Sequence, residues 1–217
     1  MSASDEIPPI IGDDHERNVE LAKLLLEQQE SDRGVAIFAA TLLEDDLESL
    51  LRSCCLNDPV SVRKVVDPLF NVYAPFSTFS AKIQVAYALG LIPKNLYKTL
   101  TLIRKMRNDF AHDRKVVSFQ SAKYKPQLYA ILESSQPEYS AGEAAKRMTA
   151  DPDYEKALPQ MGKTTKREFI DRLAFCFCVV RTSARIAVAR EVRLLAQKKM
   201  WDITRLAQGG QKPDSHE

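Results

Sequence analysis

TFSAKIQVAYALGLIPKNLYKTLTLIRKMRNDFAH, residues 78–112, holds two amphipathic periods separated by a glycine and a proline. In the first, Phe79, Ile83, Ala86 and Tyr87 recur at helical spacing, which predicts a helix over residues 78–89 that buries all four, with Ser77 as its N-cap. Gly90 is the residue type that takes a left-handed helix stop without steric cost. Pro93 stands where the first turn of a new helix needs no N–H, so Leu91 and Ile92 read as a tight connection. In the second period Leu102, Ile103, Met106 and Phe110 share a core face. The stretch is therefore a helical hairpin, and it sets the fold class as all-α.

Outward from the hairpin the same periodicity continues. Val19, Leu21, Leu24 and Leu25 predict a helix over residues 14–30, and Ile37, Phe38, Leu42, Leu43, Leu47, Leu50 and Leu51 predict a second over residues 33–56. Glu44, Asp45, Asp46 and Glu48 read as the solvated face of that second helix. Residues 61–70 suit a short helix and 71–76 a loop. On the C-terminal side a helix is expected at 125–134, followed by an irregular, proline-interrupted insertion at 135–163. Thr165-Lys-Arg-Glu168 then has the form of a capping box opening a long helix through Ile170, Leu173, Phe177, Val180, Ala184, Ala187 and Leu194, unbroken unless it bends at residues 198–201. Residues 1–13 and 208–217 read as tails, leaving one domain, 14–207, built as a multi-helix bundle with a central hairpin and a long C-terminal helix.

Composition narrows the function classes. With 217 residues, 45% hydrophobic and 28% charged, the chain can bury one full core, and its seven glycines leave little material for a sheet. No apolar run reaches the length of a membrane span, and the acidic start Met1-Ser-Ala-Ser-Asp-Glu lacks the signature of a signal peptide, so a cytoplasmic protein is expected. Cys54-Cys55 and Cys176-x-Cys178 do not match zinc or redox spacings and read as small core residues; no metal and no cofactor is expected. Charge is uneven: residues 1–59 carry 14 acidic and 4 basic side chains, and residues 163–205 carry 11 basic and 4 acidic. Such asymmetry suits self-association or an anionic partner, or simply the solvated faces of amphipathic helices.

The second helix of the hairpin ends in chemistry. Arg104, Arg107, Asn108, Ala111 and His112 occupy the arc opposite its core face. Guanidinium binds phosphate with a two-pronged fork, asparagine donates and accepts, and histidine exchanges a proton near neutral pH, so the arc has the parts of a phosphate site. The competing reading is structural: Arg104 and His112 cap the last carbonyls of the helix while Asn108 bonds a neighbouring helix.

Three runs, Ala39 to Leu51, Pro75 to Ile92 and Ile103 to His112, together resemble the mannitol operon repressor family over about residues 35–113. That resemblance implies an all-helical regulator without a DNA-binding motif of its own, acting through a protein partner. Arg107-x4-His112, with asparagine directly after the arginine, also resembles the Arg-x4-6-His motif of HEPN domains. By that resemblance His112 is a general acid or base and Arg107 a phosphate ligand, two such motifs meeting across a dimer. Neither resemblance extends over residues 135–163 or the basic stretch after Arg190.

Three functional readings follow. The preferred one is a transcriptional regulator of the repressor type, not an enzyme, that binds a protein partner and itself. The second is an RNA-binding protein or metal-independent endoribonuclease using Arg107, Asn108 and His112, with Arg104 and the basic C-terminal helix steering RNA. The third, direct DNA binding through Arg190, Arg193, Lys198, Lys199 and Arg205, is the weakest, because the basic surplus is modest and no helix-turn-helix is legible.

Overall fold

The structure is a computed structural model and describes residues 31–56, 58–135 and 166–208. The expected tail 1–13, the expected helix 14–30, the insertion beyond Ser135 and the tail beyond Gln208 lie outside the described residues. Among those described, every regular element is helical, as the periodicity requires.

Helix α1 is Asp32–Arg52. The Ser31 side chain caps it, accepting from the Gly34 N–H at 3.1 Å. Its buried stripe, Val35, Ala36, Ala39, Ala40, Leu43, Leu47 and Leu50, recurs at three- and four-residue steps, and its alanines let neighbouring helices approach closely. After α1 come a single turn α2 (Pro59–Ser61), a π-helical turn (Val62–Val66) and α3 (Asp67–Phe70). Pro68 has no N–H to donate, and just before it the Asp67 N–H reaches back to the Val62 carbonyl.

The hairpin forms as α4 (Phe79–Ala88) and α5 (Lys94–His112). Gly90 joins them with φ +70°, the left-handed conformation expected of it. The cap of α4 is Thr78 rather than Ser77, its hydroxyl accepting from Ala81 N–H at 3.2 Å. Tyr87 is exposed instead of buried, stacked on Tyr97 at 4.5 Å, and Lys82 takes the buried place. Helix α6 is Lys125–Ser135, and α7 runs unbroken over Lys166–Gln208, through residues 198–201.

Helix α1 packs on α4, α5 and α7, and α6 closes the ring between α5 and α7. One core serves them all, including Leu96, Leu100, Ile103, Met106 and Phe110 of α5 and Phe175, Cys176, Cys178 and Val179 of α7. Helices α1 and α7 run parallel: Asp32 pairs with Arg172 (2.8 Å), Ser183 donates to Asp46 (2.6 Å), and Gln197 donates to the Ser53 carbonyl (2.9 Å). These three ties fix which end of α7 lies beside which end of α1.

Candidate functional site

Helix α5 stops at His112 because Asp113 turns extended (φ −72°, ψ 123°), and residues 113–124 cross the end of the bundle as an irregular connector. The connector is nonetheless part of the core. Val117, Phe119 and Tyr124 are buried; Phe119 lies 5.3 Å from Phe110 and 4.8 Å from Phe175, and Tyr124 meets Phe110 edge-on at 4.6 Å. The N-terminus of α1 holds it from below. Arg33 donates to the carbonyls of Asp113 (2.6 Å) and Lys115 (2.8 Å), and the Asp32 carboxylate accepts from the Phe119 N–H (2.9 Å) and from Arg172 (2.9 Å).

Asp113 is the connector's other anchor, accepting from the Lys115 N–H (3.1 Å), the Tyr124 hydroxyl (3.0 Å) and Lys123 (3.3 Å). Those bonds, the backbone one first, hold its carboxyl below the usual range.

On this platform the polar arc stands as follows. Arg104, Arg107 and Asn108 are half-buried and His112 is exposed. Arg107 donates to Asn108 Oδ1 at 3.0 Å, so asparagine orients the guanidinium instead of bonding a neighbouring helix. Neither Arg104 nor His112 caps a carbonyl: among the described residues they make no hydrogen bond or ion pair, the Asp109 carbonyl accepts from the Asp113 N–H, and Arg33 holds the two connector carbonyls just beyond the helix. The hydrogen-bond caps expected of Arg104 and His112 are thus absent among the described residues, while His112 keeps its place in the last turn of α5, where the helix dipole favours a basic side chain. The sequence had no periodic signal for Arg33 or the connector, since both act through irregular backbone.

Lys105, Arg114, Lys115 and Val116 are exposed at the same end and were not picked out by helical spacing. Asp109, the other carboxylate here, accepts from Gln127 at 3.4 Å.

Arg190, Arg193, Lys198 and Lys199 are all exposed on α7, but they lie at the other end of the bundle. Gln197 meets the C-terminus of α1 at Ser53, whereas the arc lies beside Arg33 at its N-terminus. The 21 residues of α1 put about 30 Å between the two surfaces. Within one protomer the C-terminal cations and the arc of Arg107 and His112 therefore form two separate surfaces. The α7 cations are interleaved with exposed Val188, Val192, Leu195 and Met200.

A third polar cluster corrects the solvated-face reading of α1. Lys82 on α4 is 5% exposed and pairs with Glu44 (3.1 Å) and Glu48 (2.9 Å). Arg52 bonds Glu48 (2.9 Å) and Asp67 (2.7 Å) and lies 4.2 Å over the Phe70 ring. Burial pushes the Glu48 carboxyl up, but bonds from Lys82 and Arg52 outweigh it and leave it below its ordinary value; burial likewise lowers Lys82, and its two carboxylates raise it further. This cluster joins α4 and α3 to α1 and is structural. Among the described residues no group of His, Cys, Asp and Glu is placed to hold a metal, and no helix is long and apolar enough to cross a membrane.

A family model described as "Mannitol repressor" matches residues 23–185. Mannitol operon repressors of Escherichia coli K12 and Escherichia coli O6:H1 are each 26% identical over 87 residues, 40% of this chain and 45% of theirs, so the match spans about half the length of the curated relatives. Among solved structures, a possible transcriptional regulator, YggD, from Shigella flexneri 2a superposes with TM-score 0.60 at 16% identity, covering 78% of this chain and 97% of its own. The MtlR–HPr complex from Escherichia coli gives TM-score 0.53 at 18% identity, covering 77% and 98%. At these identities the two structures speak for the fold.

Proposed function

The chain belongs to the mannitol repressor family, and from that premise we propose a cytoplasmic helical transcriptional regulator that acts by contacting a protein partner, of the HPr kind, rather than by gripping DNA itself. The observation that carries the reading is the family match over residues 23–185, most of the described bundle. The surfaces are consistent with it. The exposed cations of α7 alternate with Val188, Val192 and Leu195, a mixture suited to a protein contact rather than to a phosphate backbone. That apolar stripe is also the proposed self-association face.

Isothermal titration of the purified chain with an HPr protein tests the partner, and a saturable isotherm is expected. No heat with HPr, together with retarded migration of promoter DNA at low salt, would overturn the reading in favour of direct DNA binding. Self-association is checked by sedimentation, where Val192→Asp should reduce the mass of the wild-type assembly toward that of one chain.

One observation favours a second reading. His112 is exposed and makes no hydrogen bond among the described residues, and five residues before it on the same helix the Arg107 guanidinium is oriented by Asn108. If the chain is a metal-independent endoribonuclease, it cleaves RNA in the presence of a chelator and loses that activity on His112→Ala. Cleavage retained by the variant would mark a contaminant.

A further inference from the structure

The end of the bundle that carries α5's polar arc holds more cations than the arc itself. Residues 104–115 hold five arginines and lysines plus His112 against two aspartates. Both aspartates are already engaged, Asp109 with Gln127 and Asp113 with Tyr124 and Lys123. Arg104, Lys105, Arg114 and Lys115 have no carboxylate partner among the described residues. Directly after them Val116 is 101% exposed, while Val117 and Phe119 beside it are buried.

This exposure is not that of a slack loop. The Asp113 and Lys115 carbonyls are pinned by Arg33, and the Phe119 N–H is pinned by Asp32, so the backbone is fixed on both sides of Val116. A valine held in water directly after the unpaired cations Arg114 and Lys115 is pre-organised for contact, and its ordering cost is already met within the folded chain.

We propose that the C-terminal end of α5 and the connector form a docking surface for an acidic face of a protein partner, with Val116 as the apolar anchor and Lys105, Arg114 and Lys115 as the surrounding charges. The inference rests on the protein-partner reading above and assigns that contact to one end of the bundle. Charge decides the sign of the partner: a cationic rim lacking counter-ions attracts carboxylates and repels a second copy of the same surface. Aromatic placement decides its class. Single-stranded RNA is gripped by exposed rings on which bases stack, and here Phe110, Phe119 and Tyr124 are spent on one another in the core. Arginine beside an exposed aliphatic side chain on a fixed backbone suits a protein contact instead, since arginine is enriched where partners meet.

The test measures fluorescence anisotropy at low salt with three probes: an HPr protein, a labelled glutamate-rich amphipathic peptide, and a 20-nucleotide single-stranded RNA. Wild type is compared with Arg114→Glu/Lys115→Glu, with Val116→Ser, and with Arg63→Glu/Lys64→Glu, exposed in the π-helical turn near the other end of α1, as a remote control. Each altered side chain is exposed, and circular dichroism melting checks that folding is unchanged. Peptide affinity should fall about tenfold or more in the double variant and about threefold in Val116→Ser, and stay within about twofold in the control.

RNA binding that disappears in the double variant, with no peptide binding, overturns the proposal, as does equal loss in the remote control. The failure of each reading is separable. HPr silent while the peptide shows the expected pattern removes HPr as partner and supports the patch. HPr bound equally well by wild type and the double variant keeps the partner and overturns the patch.

Discussion

Lys82 shows how much of this protein is decided by one side chain finding its partners. Its ammonium is buried between α4 and α1 and tolerated there only because Glu44 and Glu48 face it. Lys82→Ala should cost about 2–3 kcal/mol in urea denaturation, chiefly by leaving two half-buried carboxylates together without a cation; a change below about 0.5 kcal/mol would show the pairs to be incidental. The cysteines behave oppositely at the two ends of the chain. Burial pushes the Cys176 thiol up to about 12 and Cys178 to about 11, so neither offers thiolate at neutral pH, whereas Cys54 and Cys55 are only half-buried. Native protein treated with a maleimide near pH 7.5 should be modified at Cys54 and Cys55 first, with Cys176 and Cys178 reacting only in denaturant. Peptide mapping by mass spectrometry checks this, and early labelling at Cys178 would mean that α7 leaves the core.

Individual elements owe their limits to a few special positions. Gly90 has φ +70°, and a Cβ placed there meets nothing within 4 Å, so Gly90→Ala costs backbone conformation alone. The expected loss is about 1 kcal/mol, with Gly90→Asn milder, read from chemical denaturation midpoints; a neutral alanine would mean that the turn relaxes. This element was legible in the sequence because glycine and proline mark a turn by their own stereochemistry. The Thr78 cap was missed by one residue, since Ser77 and Thr78 are both capping types and only the backbone chose between them. The connector was illegible for a stronger reason. Val117, Phe119 and Tyr124 fit neither a period of 3.6 nor of 2, and they are buried because Arg33 and Asp32 draw the backbone across the core.

For the whole molecule, the lowered carboxyls and the raised ammonium fix how stability depends on pH. Glu48 and Asp113 lie below their ordinary values when folded, so their contribution is present above the ordinary carboxyl pKa and is lost as pH falls through the folded one. Lys82 lies above its ordinary 10.5, so its contribution holds below that and is lost as pH rises through the folded value. Thermal melting should therefore be nearly flat between about pH 6 and 9 and fall below about pH 4; Lys82→Ala should flatten the alkaline side, and an unchanged alkaline limb would show that other groups govern it. The sequence by itself determined the helices, the hairpin and the membership of its polar arc, because apolar periodicity and turn residues act over a few positions of chain. Only the tertiary structure decided that Glu44 and Glu48 belong to Lys82, that Arg33 holds the connector just beyond α5, and that the cations of α7 lie near the opposite end of α1 from Arg33. Those relations join residues from 34 to 144 positions apart, and no local pattern encodes a distance that packing alone creates.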